Sequence, residues 1–196
     1  MQPILASGLL RTADGLAGAA AGSGRPALCD LRRATSTAYY ALFQQLTRHG
    51  AFASMPDAEE SDVDLVSRWF THSGVRAASD LVLVAASRDI PRRPDASAVA
   101  ILRRAPTQPL PAQLIVVAQA FGRLQDVREA ADYSNAYLPN RYETLSHVAT
   151  SQLAVRETWS MWRARSSPKP PRRQLHQTYR RFLQLALLKS GGPRTR

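Results

Sequence analysis

Along most of the chain, apolar residues recur at three- and four-residue intervals, and no segment alternates apolar with polar residues between hairpin turns. This pattern predicts an all-α fold. A first helix is expected over residues 3 to 20, followed by a loop through Gly22, Ser23, Gly24, Arg25 and Pro26. Asp30 is a candidate N-cap for a second helix with the stripe Ala34, Ala38, Leu42 and Leu46, and His49-Gly50 is the expected stop. Residues 51 to 58 read as loop, and Ser61 to Phe70 as a short helix closed by Ser73-Gly74. Another helix is expected over 76 to 89. Prolines 91, 94, 106, 109 and 111 mark residues 90 to 111 as a long loop around a short helix at 96 to 104.

In residues 113 to 137, Leu114, Val117, Phe121 and Leu124 place one face of a long helix in the core. Pro139 ends it, and Asn140 with Glu143 three residues later resembles a capping box for the next helix. There Leu145, Val148, Gln152, Val155, Trp159 and Trp162 form a seam suited to tight helix pairing. Ser166 to Arg173 is rich in Pro and Arg and reads as a linker that is not helical throughout. Leu175 to Lys189 reads as an amphipathic helix with Leu175, Phe182, Leu185 and Leu188 on its apolar side. The implied organisation is a helical bundle over residues 1–162, a linker over 163–174, and a basic helix and tail over 175–196.

Charge sharpens this division. The net charge is +11, yet residues 1 to 162 carry 16 Lys or Arg against 15 Asp or Glu, while residues 163 to 196 carry ten basic residues and no acidic one. Such a block attracts polyanions through phosphate neutralisation and counterion release; anionic membranes and acidic proteins offer the same attraction. Arg163, Arg165, Lys169, Arg172, Arg173, Arg180 and Arg181 are the candidate nucleic-acid contacts. The alternative for them is a solubilising charged end. The longest apolar run, Leu81 to Ala86, falls far short of the roughly 20 residues that cross a bilayer. No membrane span is expected, and with no basic leader before the first apolar run a cytoplasmic location is. The single cysteine, Cys29, leaves no internal disulfide and agrees with a reducing compartment.

Two motifs carry a family resemblance. Leu31-Arg32-Arg33-Ala34-Thr35-Ser36-Thr37-Ala38-Tyr39-Tyr40-Ala41-Leu42-Phe43 resembles the signature helix of small prokaryotic HEPN proteins, and Leu124 to Tyr133, with Arg128 followed by Asp132-Tyr133, resembles a later helix of the same family. The resemblance covers roughly residues 5 to 162. It implies an antiparallel helical bundle that commonly dimerises, in a family linked to RNA cleavage, RNA binding and prokaryotic toxin–antitoxin and defence systems. RNA rather than DNA is the polyanion it implies, with a homodimer or a partner protein in a larger complex. Many active members carry Arg and His four to six residues apart near the start of a late helix, a pattern matched here by Arg141 and His147. Toxin-type members often place a Tyr two positions after the His, where this sequence has Ala149.

Two functions follow. In one, the chain is a metal-independent endoribonuclease, with Arg141 holding phosphate near a helix N-terminus and His147 acting as general acid/base in attack by the RNA 2′-hydroxyl. Six residues along one ideal helix leave these side chains about 120° apart, so they would have to converge across a dimer axis. In the other, Arg141 is a solvated arginine, His147 a surface histidine, and the chain a non-catalytic subunit that binds a protein or ribonucleoprotein partner and holds nucleic acid with its basic tail. Arg128 and Asp132, four residues apart near an apolar stripe, read as a structural ion pair with Tyr39 or Tyr40 as a hydrogen-bond partner. Trp159 and Trp162 read as core anchors, with base stacking as the alternative. His72 has no partner at metal-ligand spacing; no metal and no cofactor are expected.

Overall fold

The three-and-four spacing becomes helix throughout, and no strand occurs among the described residues of the computed structural model, which are 4–18, 24–87 and 96–191. In order the helices are α1 (Ile4–Leu16), α2 (Leu28–Ser54), α3 (Glu60–Ser67), α4 (His72–Ala86), α5 (Ala96–Arg103), α6 (Ala112–Tyr133), α7 (Arg141–Arg163) and α8 (Pro170–Lys189), with a 3₁₀ turn at Ala164–Ser166. They gather into two compact units. One comprises Met1–Gln45 and Ala120–Arg156, the other Leu46–Gln119 and Glu157–Arg196.

In the first unit, small residues on α2 let helices approach closely. Ala34, Ala38 and Ala41 are fully buried, and Ala38 packs with Ala13 of α1 and Val148 of α7. The Ser151 hydroxyl donates to the Ala38 carbonyl at 2.6 Å, so the buried polar atom is satisfied on a neighbouring helix. Large rings fill the space beside the alanines: Tyr39 stands 5.5 Å from Phe121 and 6.1 Å from Phe43, centroid to centroid. Helix α2 begins two residues before the expected cap. Asp30 lies inside the first turn, and its carboxylate accepts from the Ala27 amide at 3.3 Å, the reach-back half of a capping box. At α7 both halves form, since Asn140 Oδ1 accepts from the Glu143 amide at 2.9 Å and Glu143 Oε2 from the Asn140 amide at 3.0 Å.

The second unit departs from expectation where glycines read as stops turn out to be points of close packing. Helix α2 continues through His49-Gly50 to Ser54, and Gly50 leaves room there for Phe70, since a Cβ on it would sit 2.3 Å from the tip of that ring. Likewise Ser73-Gly74 begins α4 instead of ending α3. Thr71 caps α4 by accepting from the Gly74 amide at 3.0 Å, and a Cβ on Gly74 would lie 2.7 Å from the Ser190 backbone at the end of α8. Helix α8 starts at Pro170, five residues earlier than expected. Its two prolines occupy the first helical positions, where a missing N–H costs nothing and the fixed φ suits a helix.

The sequence sets residues 175–196 apart as a basic helix and tail. In the structure α8 buries Thr178, Tyr179, Phe182, Leu183, Leu185 and Ala186 within the second unit. Each large apolar side chain among these contributes about 1.5–3 kcal/mol by leaving water, so the helix is a working part of that core. Residues 192–196 lie outside the described residues, as do parts of the expected glycine-rich loop near residue 22 and of the expected loop from 90 to 111. No helix among the described residues is long and apolar enough to cross a membrane.

Candidate nucleic-acid interface

The second unit carries 18 Lys or Arg and 9 Asp or Glu, the first 8 and 6, so most of the excess charge belongs to the second. Its seven candidate cations fall into three groups. Arg180 and Arg181 bond backbone carbonyls: Arg180 Nε donates to the Ala53 carbonyl at 3.1 Å, and Arg181 donates to the carbonyls of Ile101 at 3.3 Å and Arg104 at 2.7 Å. These carbonyls lie in the last turn of α2 and in or just after that of α5, where carbonyls have no intrahelical donor and sit at the negative end of the helix dipole. Arg180 and Arg181 are therefore C-terminal caps. Arg163 and Arg165 lie over indole rings, with guanidinium carbons 5.6 Å from the Trp159 centroid and 4.9 Å from that of Trp162.

Lys169, Arg172 and Arg173 remain. All three are exposed at the first turn of α8, Lys169 as its N-cap residue, and their side chains make no hydrogen bond or ion pair among the described residues. That turn contains no acidic residue and no side-chain cap. The amides of Arg172 and Arg173 already donate to the Lys169 carbonyl, so what the turn offers an anion is three exposed cationic side chains and the positive end of the helix dipole. Such side chains suit a phosphate backbone, which requires charge at intervals but no fixed pocket.

Behind Arg163 and Arg165 lies a cluster that sequence reasoning did not find. His49 is fully buried, its ring stacked on Trp162 at 4.4 Å and 8°, with Nδ1 3.0 Å from the Tyr179 hydroxyl. Burial, reinforced by Arg165, His176 and Arg48, pushes its pKa down to about 3, so the imidazole is neutral at physiological pH. Burial also raises the Tyr179 hydroxyl well above its ordinary value. The signal was present in the spacing, because His49 and Ala53 extend the stripe Ala38, Leu42, Leu46 by further steps of three and four. Trp162, 3% exposed, is a core anchor and offers no open face to a base.

In the first unit, Arg141 is exposed at the first turn of α7 and donates to the Gly18 carbonyl, which follows the end of α1. It borders a cavity of about 580 Å³ whose lining also includes Arg25, Leu28, Leu31 and Leu138. His147 does not line that cavity. It is 7% exposed with Nδ1 buried and unbonded, and burial, then the charge of Arg123, lowers its pKa.

Arg128 and Asp132 form an ion pair on α6, with Arg128 Nε 2.7 Å from Asp132 Oδ2 in an ionic contact lacking good hydrogen-bond direction. The better-directed bonds run to α2. Arg128 donates to the Tyr40 hydroxyl at 2.7 Å and Ser36 donates to Asp132 Oδ1 at 2.5 Å. Burial alone would weaken the hold of Arg128 on its proton, but Tyr40 and Asp132 outweigh it. Asp132→Ala should cost about 2 kcal/mol, less than for a fully buried pair because the carboxylate is 26% exposed. Urea denaturation checks this; a change below about 0.5 kcal/mol would mean that water screens the pair.

Among the described residues no three His, Cys, Asp or Glu side chains converge as a metal site requires. The sequence matches no family model, no curated protein and no solved structure.

Proposed function

We propose that this chain is a non-catalytic, HEPN-like RNA-binding protein that grips RNA phosphates with Lys169, Arg172 and Arg173 at the start of α8. The observation that carries this reading is the partition of the seven candidate cations: two cap helices, two lie over tryptophans, and three project from an exposed turn that contains no acidic residue. RNA rather than DNA follows from the HEPN resemblance of the Ala38-Tyr39-Tyr40-Ala41-Leu42-Phe43 and Arg128-to-Tyr133 motifs. Catalysis by Arg141 and His147 is disfavoured by chemistry. A general acid/base must meet a reacting proton within hydrogen-bond reach, and His147, 7% exposed, offers little surface to one on its own protomer or across a dimer axis.

Fluorescence anisotropy with a labelled single-stranded RNA tests the reading. The wild-type chain should bind, and the triple variant Lys169→Ala/Arg172→Ala/Arg173→Ala should bind at least about tenfold more weakly at moderate salt, with unchanged unfolding. The same RNA should stay intact in the absence of metal, with no 2′,3′-cyclic phosphate ends. Cleavage abolished by either Arg141→Ala or His147→Ala would replace this reading with the nuclease.

A further inference from the structure

The cavity beside α7 has a composition that RNA binding does not use. Its volume, about 580 Å³, falls within the range of roughly 300–1,000 Å³ typical of small-molecule sites. Leu28, Leu31, Leu138 and Pro139 make its walls aliphatic, and none of its lining residues is aromatic, so it offers a planar base no ring to stack on. Leu31 and Pro139 are buried, whereas Leu28 and Leu138 are 42% and 68% exposed, leaving apolar surface in water.

The polar groups on the cavity are unevenly signed. Arg25 and Arg141 both border it, and no carboxylate does. Arg25 is exposed and its side chain makes no hydrogen bond or ion pair with another described residue; Arg141 spends one N–H on Gly18 and keeps other donors. The Asn140–Glu143 capping box already occupies the amides of both residues, so neither is open to an anion. Two guanidiniums over an aliphatic wall therefore select a ligand with an anionic head and an apolar chain. A planar carboxylate matches the guanidinium fork.

We propose that this cavity is a binding site for a free aliphatic carboxylate, its chain against Leu28, Leu31 and Leu138 and its head between Arg25 and Arg141. This site is independent of the RNA contact assigned to α8. Burying Leu138 and Leu28 supplies the apolar gain, and the arginines set the orientation.

Isothermal titration of the full chain with sodium octanoate tests the proposal, with octanol and acetate as ligands lacking the head or the chain. Octanoate should bind one-to-one with Kd near 1 mM, as expected for so few atoms, and octanol and acetate at least about tenfold more weakly. Arg25→Gln, which removes no hydrogen bond or ion pair among the described residues, and Leu138→Asp, at an exposed position, should each weaken octanoate by about tenfold without changing the melting temperature. Failure of octanoate to bind, octanol binding as well as octanoate, or octanoate binding unchanged in both variants would each overturn the proposal. So would sedimentation with phosphatidylglycerol vesicles in the absence of octanoate binding, which would assign the site to a membrane surface. Loss of RNA affinity in Arg25→Gln with octanoate binding intact would assign Arg25 to nucleic acid and also overturn it.

Discussion

Gly74→Ala should lower the stability of the chain by roughly 2 kcal/mol or more, a fall of about 4–8 °C in melting temperature for a protein of this length. Alanine is the better helix former by up to about 1 kcal/mol, so intrinsic propensity pulls the other way. Packing wins because the added Cβ would meet the backbone nitrogen and Cα of Ser190, each at 2.7 Å, as well as its hydroxyl. A flexible side chain can swing aside at little cost; a helix end can yield only by shifting. Ser190 also receives the Thr71 amide at 3.0 Å and donates to the Ala186 carbonyl at 2.7 Å, so the shift would break the cap that starts α4. Thermal unfolding followed by circular dichroism checks this. Ser190→Ala added to Gly74→Ala should not restore stability, because it removes the hydroxyl and leaves the backbone contact. Full rescue by the double variant would show that the hydroxyl alone is the obstacle.

The second large effect is a loss of stability in mild acid. His49 is held neutral in the fold by burial, with a pKa near 3, whereas the unfolded chain takes up a proton near the ordinary value of about 6.5. As pH falls below that value, the unfolded state binds the proton and the folded state does not, so stability declines with a slope of up to about 1.4 kcal/mol per pH unit. Stability is fully present above the unfolded pKa. His147 and His176 are also shifted down, both mainly by burial, and act in the same direction. Between about pH 6.5 and 4.5, above the range where most carboxylates titrate, wild-type stability should fall by roughly 2 kcal/mol more than that of His49→Gln. The comparison concerns slopes, since the variant also alters the contact with Tyr179. Parallel slopes in urea denaturation across this window would show that His49 can be protonated in the fold.

These two residues also mark where the chain was readable and where it was not. Regular apolar stripes were legible: Leu114, Val117, Phe121 and Leu124 are all fully buried, on the helix their spacing predicted. The all-α class follows from many such stripes. Glycine is ambiguous because the same residue can end a helix or admit a close neighbour, and the neighbours that decide, Phe70 beside Gly50 and Ser190 beside Gly74, are distant in sequence. The basic block showed a similar limit. Composition marks Arg172 and Arg181 alike as cations, yet one is free in solvent and the other closes the end of α5, a distinction set by tertiary position.

The Arg141–His147 pair shows that motif spacing fixes less than geometry does. Both residues lie on α7, as the capping box at Asn140 indicated, but one end of that helix is exposed and its next turns are packed. His147 follows Thr144 and precedes Val148, both buried, so its ring belongs to the packed side. A stripe drawn through Leu145 and Val148 could have included it, since positions 144, 147, 148 and 151 share one face.

The salt dependence of RNA binding tests the account most directly. Each phosphate neutralised on a single strand contributes about 0.7 to the slope of log affinity against log salt concentration. Removing the side chains of Lys169, Arg172 and Arg173 should reduce that slope by about 2 while leaving the fold intact. An unchanged slope in that variant, with Arg180→Ala or Arg181→Ala lowering it instead, would contradict the assignment of the RNA contact to the first turn of α8.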